Sequence, residues 1–130
     1  MPAKEIMHTC IRVLDEERSL EFYRALGFEA RDRKRVGGDT ATIIFMGLPG
    51  DGNRLELTLN DGRTEPYDVG TGYGHIALAI EDLGEELARL AGLGILPERS
   101  PYQSGPGGSL ICFVGDPDGY RIELIQVRRT

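Results

Sequence analysis

The sequence predicts an α+β fold, two tandem βαβββ modules whose curved sheets pair into one open barrel. Three observations predict it. Sliding the chain along itself by 67 residues lays "DGNRLEL" (51–57) on "DGYRIEL" (118–124), and repetition of this kind is read before single elements are assigned. At that same offset, with no gap, His8 falls on His75, Asp15 on Asp82, Leu20 on Leu87, Leu26 on Leu93, Gly27 on Gly94, Ile44 on Ile111 and Glu56 on Glu123. Each copy also passes from a short apolar strand segment to a helical period and back to strands.

The first copy opens on "IMHTCIRV" (6–13), short and rich in β-branched or apolar residues, hence a strand. Asp15 is suited to cap the helix that follows, "EERSLEFYRALG" (16–27), where Leu20, Tyr23 and Leu26 recur near helical spacing and Gly27 offers a left-handed stop. Three strands come next: "EARDRKRV" (29–36), "ATIIFMG" (41–47) and "RLELTLN" (54–60), the last two joined by the turn-forming "LPGDGN". The second copy repeats the order with "GHIALAI" (74–80), Asp82, "LGEELARLAGLG" (83–94), "PERSPYQ" (97–103), "SLICFVG" (109–115), "DPDG" and "YRIELIQ" (120–126). Residues 1–130 are therefore expected to form one domain of two repeats, 6–60 and 74–127, joined by a turn-rich connector at 61–73.

With 15 basic against 21 acidic residues and a net charge of −6, the chain is a poor partner for nucleic acid or an anionic membrane. A small molecule is the expected ligand. The N-terminal "MPAKEIMHTC" has no apolar core of signal-peptide length and no run of 18 apolar residues occurs anywhere, so the expected location is the cytoplasm. In that reducing compartment Cys10 and Cys112 are expected as free thiols.

Chemistry enters with "GYRIELIQV" (119–127), where Glu123 interrupts a run suited to a sheet interior. A carboxylate buried there alone costs several kcal/mol or more, so it needs a partner. By strand alternation Leu55, Leu57 and Leu59 take one face and Glu56, Thr58 and Asn60 the other, while His8, Cys10 and Arg12 share a face of the first strand. His8, Glu56, His75 and Glu123 thus hold equivalent positions in the two halves, and they converge if the halves pair about a pseudo-twofold axis. Two imidazoles and two carboxylates suit a divalent first-row ion with two positions left open for water or substrate. The alternative is that both histidines are structural and both glutamates pair with Arg54 and Arg121. Against it, His8 and His75 are the only histidines, and each precedes its glutamate by 48 positions.

On "MHTCIRVLDEERSLEFYRALGF", "RLELTLN", "YGHIALAI" and "DPDGYRIELI", spanning residues 6–127, the chain resembles bacterial glyoxalase I, lactoylglutathione lyase, of the vicinal oxygen chelate superfamily. The resemblance implies a metal ion on His8, Glu56, His75 and Glu123, nickel or cobalt favoured and zinc possible. It implies isomerisation of the methylglyoxal–glutathione hemithioacetal to S-lactoylglutathione through a metal-bound cis-enediolate, with Glu123 as the base and Glu56 its counterpart. It further implies that Arg12 and Asn60 contact the γ-glutamyl end of glutathione, and that sites are shared between the subunits of a homodimer. One departure bears on the thiol: where related enzymes often carry a lysine for the glycine carboxylate, "YQSGPGGSL" has Pro106.

Related folds do other work. Extradiol dioxygenases and fosfomycin-modifying transferases would leave Glu56 without a role, acyl-CoA epimerases usually place glutamine there, and antibiotic-binding proteins need no metal set. An acyl-CoA epimerase or a non-catalytic antibiotic-binding protein is the alternative function. Two weaker features are "RDRKR" (31–35), which could attract an anionic substrate but is expected as a solvated strand or hairpin, and "SGPGGS" (104–109), which lacks the Lys-Ser/Thr pair of a phosphate loop and is expected as a flap. Cys10 is expected to serve as a small packing residue near the histidine.

Overall fold

The structure, a computed structural model, describes residues 1–128. Its strands are β1 (Thr9–Arg12), β2 (Glu29–Val36), β3 (Ala41–Gly47), β4 (Leu55–Asn60), β5 (Ile76–Ile80), β6 (Tyr102–Gln103), β7 (Leu110–Gly115) and β8 (Arg121–Gln126). Its helices are α1 (Glu16–Ala25) and α2 (Leu83–Gly92). The chain divides into two compact units, Met1–Tyr67 and Asp68–Thr130, the break falling inside the predicted connector. No helix among the described residues is long and apolar enough to cross a membrane.

The first unit is a four-stranded sheet in the order β1-β4-β3-β2, with β1 parallel to β4 and the other pairs antiparallel. A parallel neighbour needs a crossover, and α1 supplies it. Asp15 starts that helix by accepting from the Arg18 amide at 3.0 Å, and Gly27, at φ 111°, lets the chain leave it. One face of the sheet is closed by Ile11, Ile44, Met46, Leu55 and Leu57, all buried. The opposite face carries Cys10, Glu56 and Phe45 in one cross-strand row.

The second unit repeats this layout as β5-β8-β7-β6. Asp82 accepts from the Glu85 amide at 3.0 Å, and Gly94 has a φ of 82°. Leu78, Cys112, Val114, Ile122 and Leu124 are buried, with Leu83 and Leu90 of α2. Ala77, Glu123 and Phe113 form the row on the other face. The Gln126 side chain reaches α2, accepting from the Leu83 amide at 3.0 Å.

Two expectations are corrected. Residues 97–103 were expected to form a full strand, yet only Tyr102–Gln103 pairs with β7. Pro97 and Pro101 bring no amide hydrogen to a ladder, and ahead of β6 the segment holds β7 by the Glu98 amide on the Phe113 carbonyl at 2.9 Å. The repeat is also not free of gaps. Phe45 lies opposite Glu56 and Phe113 opposite Glu123, so Ile111 corresponds to Ile43 and not to Ile44. Counted between these equivalent positions, the path from Phe45 to Glu56 is one residue longer than the path from Phe113 to Glu123. The edge strands β1 and β5 are shorter than the segments 6–13 and 74–80, so each histidine sits just ahead of its strand.

Candidate active site

In the first unit β1 and β4 run side by side, which brings the residue ahead of β1 to the carboxylate of β4. His8 Nδ1 lies 3.0 Å from Glu56 Oε2. In the second unit the same construction sets His75 Nε2 3.0 Å from Glu123 Oε1. Each carboxylate is nearly enclosed, its side chain 9% exposed at Glu56 and 13% at Glu123, whereas the imidazoles are 42% and 41% exposed. The leucine and isoleucine neighbours of each glutamate point into the core, and by the two-residue period the carboxylate must take the other face. The structure thus joins each predicted histidine to its predicted glutamate. Among the described residues, no third His, Cys, Asp or Glu side chain joins either pair to make a group of three.

The arginine alternative fails, because both candidate cations are engaged elsewhere. Arg54 bonds Asp51 through Nε at 2.9 Å and gives Nη1 to the Ile6 carbonyl at 2.6 Å, which ties the segment before His8 to β4. Arg121 forks onto both oxygens of Glu98 at 2.8 Å, and that hydrogen bond holds the Glu98 carboxyl below its ordinary range. The guanidinium of Arg121 also stacks 3.9 Å above Phe113. Phe113 in turn meets the His75 ring edge-on, with centroids 5.3 Å apart. Phe113 and Arg54 are therefore the supports that motif reasoning missed: a phenylalanine in an apolar strand carries no signal until the ladder sets it beside Glu123.

The donor set fits a metal ion. Two ligand atoms each about 2.1 Å from an ion and at right angles to one another stand about 3.0 Å apart, and both pairs have that separation. Histidine nitrogen with carboxylate oxygen is a donor chemistry that suits several first-row ions.

Arg12 lies one alternation beyond Cys10, in register with Thr58, and is exposed. Asn60 ends β4, also exposed, and its Oδ1 accepts the Tyr67 hydroxyl at 2.9 Å, leaving the amide nitrogen to donate. Both thiols are free. Cys10 is exposed, with its sulfur 3.1 Å from the Thr58 hydroxyl, while Cys112 is buried, and burial pushes its thiol pKa upward. Residues 104–109 close as a turn, the Ser104 amide on the Ser109 carbonyl at 3.0 Å.

Two mixed sheets of βαβββ order with a histidine–glutamate pair in each define a class. Residues 5–124 match the model of the Glyoxalase/Bleomycin resistance protein/Dioxygenase superfamily, and the chain belongs to that superfamily. Within it the similarity runs to lactoylglutathione lyases. The probable lactoylglutathione lyase of Synechocystis sp. is 40% identical over 124 residues, covering 93% of this chain and 94% of its own. The lactoylglutathione lyase of Haemophilus influenzae is 37% identical over 132 residues, covering 97% and 95%. Among solved structures, glyoxalase I from Zea mays superposes with a TM-score of 0.87 at 32% identity, over 98% of this chain and 46% of the maize chain. This chain thus spans about half the length of the maize protein. A trypanothione-dependent glyoxalase I of Leishmania major superposes with a TM-score of 0.80 at 35% identity, over 95% of this chain and 87% of that one.

Proposed function

We propose that this chain is a metal-dependent lactoylglutathione lyase that isomerises the hemithioacetal of methylglyoxal and glutathione to S-lactoylglutathione. The observation that carries the reading is one exposed imidazole set 3.0 Å from a nearly enclosed carboxylate in each of two equivalent units. Identity of about two residues in five to lactoylglutathione lyases supports the substrate. His8, Glu56, His75 and Glu123 would together hold one divalent ion, nickel or cobalt before zinc. When bound, such an ion supplies positive charge that acidifies a neighbouring carbon-bound proton and stabilises the negative charge left behind.

The protein's own residues do the rest. Glu123 takes the proton from the thiol-bearing carbon and delivers it to the adjacent carbonyl carbon, so the substrate is isomerised with no net gain or loss of electrons or protons. Its low exposure, between the buried Ile122 and Leu124, keeps solvent from exchanging that proton during transfer. Glu56, paired with His8 as Glu123 is with His75, is its counterpart from the first unit. Phe113 holds the His75 ring against rotation, and Arg54 anchors the approach to His8. Arg12 and the amide nitrogen of Asn60 receive the γ-glutamyl end of the thiol.

Each unit supplies one pair, and we infer that a homodimer completes the set, the first unit of one subunit meeting the second unit of the other in two equivalent sites. Two free thiols suit a cytoplasmic enzyme.

The test is made on metal-stripped protein given nickel, cobalt or zinc separately, following thioester formation from methylglyoxal and glutathione. Thioester with nickel or cobalt and little with zinc is expected. No thioester with any ion overturns the reading. Arg12→Ala is expected to raise KM for the glutathione adduct about tenfold or more, from loss of a charge-assisted contact, with metal content unchanged. Steady-state kinetics beside metal analysis checks this, and an unchanged KM removes Arg12 from the substrate site.

A further inference from the structure

We propose that Arg121 and Glu98 are positioning residues for metal binding: their ion pair clamps the Phe113 ring, and through it holds the His75 imidazole in the orientation of a ligand. The inference rests on the functional reading above only in taking His75 as a metal ligand, and it gives a task to two charged residues which that reading leaves unused.

The two units differ at equivalent positions. Arg54 and Arg121, like Ile6 and Tyr73, stand 67 residues apart. In the first unit the Arg54 side chain donates to the carbonyl of Ile6, two residues ahead of His8. In the second the roles reverse, and the hydroxyl of Tyr73, two residues ahead of His75, donates to the Arg121 carbonyl at 3.0 Å. Either bond ties the approach of the histidine to the neighbouring strand. Because a main-chain acceptor serves in the second unit, the Arg121 guanidinium is released for other contacts.

The ladder directs it toward the site. Ile76 pairs with Ile122 in parallel register, so one step earlier sets His75 beside Arg121. The row one alternation further along the same face is Ala77, Glu123 and Phe113. The guanidinium lies 3.9 Å from the centroid of the Phe113 ring. That ring meets the His75 imidazole at 5.3 Å between centroids and 78° between planes.

Glu98 closes the arrangement. Its amide donates to the Phe113 carbonyl at 2.9 Å, and its carboxylate accepts two N–H bonds from Arg121, each 2.8 Å long. Glu98 is thus fixed to the backbone of Phe113 and holds the cation over that residue's ring. A guanidinium suits both contacts, since its planar fork fits a carboxylate and its flat face stacks on an aromatic ring.

His75 needs such support. It precedes β5, and its side chain is largely open to solvent, so the ladder does not fix its ring. The 3.0 Å approach to Glu123 requires one ring orientation, and the edge-to-face contact with Phe113 favours that one. Groups that orient a ligand histidine set metal affinity, although they never touch the ion. Stability gives the ion pair no comparable purpose: both side chains are nearly half exposed, and pairs so placed add little to it.

The experiment adds cobalt(II) to the metal-stripped full chain. It measures affinity by competition with a chelator and records the visible spectrum of the bound ion, which reports ligand geometry. Arg121→Gln is expected to weaken cobalt binding about tenfold and to change the spectrum, with Tm unaltered. Glu98→Gln should act in the same direction by a smaller factor. Phe113→Leu should cost at least as much as Arg121→Gln, and combining the two should add nothing to Phe113→Leu, because Arg121 acts through the ring. Arg89→Gln, which breaks the surface pair with Glu86, should leave affinity and spectrum as in wild type. Wild-type affinity and spectrum in both Arg121→Gln and Glu98→Gln overturn the clamp, and these two surface variants decide the matter even if Phe113→Leu fails to fold. Losses that multiply in the combined variant overturn the route through Phe113. An equal loss in Arg89→Gln reduces the effect to surface charge and overturns the clamp as well. Cobalt affinities that shift as expected in a protein that forms no thioester uphold the clamp and overturn the substrate reading alone. Wild type that binds no cobalt overturns the metal reading and the clamp together.

Discussion

Glu123→Gln is expected to fold and to lose turnover by about a thousandfold, the scale of a positioned proton-transfer group. Glutamine keeps the volume and one oxygen in a strand whose flanking Ile122 and Leu124 are buried, so packing is undisturbed. What it lacks is a basic oxygen at neutral pH. The measurements are kcat on the glutathione adduct, circular dichroism for the fold and metal content per subunit. Retained metal with lost kcat assigns proton transfer to Glu123. Activity within a few-fold of wild type would remove it from that role, and lost metal with lost kcat would assign it to binding.

The second large effect comes from mixing two dead enzymes. If each site joins the first unit of one subunit to the second unit of another, His8→Ala and Glu123→Gln homodimers are both inactive. A mixed dimer then carries both defects in one site and none in the other. Random exchange makes about half the dimers mixed, with one intact site in each, so about a quarter of wild-type activity returns. If one chain supplies a whole site, mixing returns nothing. The assay is activity after joint unfolding, refolding and metal loading, against each variant treated alone.

Much of this was legible in the sequence because the chemistry is duplicated. A single His75 or Glu123 would have been ambiguous, but two histidines each followed at 48 residues by a glutamate point to a shared purpose, and strand alternation set them on one face. The helices and caps were equally legible, since Asp15 and Gly27, like Asp82 and Gly94, state where each helix begins and stops. Three things were not. Tyr102–Gln103 is all that pairs of the segment 97–103, because two prolines forfeit the amides that a strand needs. The supports, Phe113 against His75 and Arg54 on the Ile6 carbonyl, depend on cross-strand neighbours that no linear spacing encodes. The orientation of "RDRKR" depends on one bulged residue, and sequence alternation alone would have turned Lys34 toward the helix.

The unequal turns bear on ancestry. The offset between equivalent residues is 67 at the histidines, becomes 68 along β3 and β7 where Phe45 corresponds to Phe113, and is 67 again at Glu56 and Glu123. One residue gained before β7 is balanced by one lost after it. The two copies thus differ by one extra and one missing residue that cancel, and what they share is the partner across the ladder. Tracing the lineage of such doubled chains by counting residues would align Ile44 with Ile111 and misplace a whole strand, whereas hydrogen-bonded neighbours keep the genealogy straight.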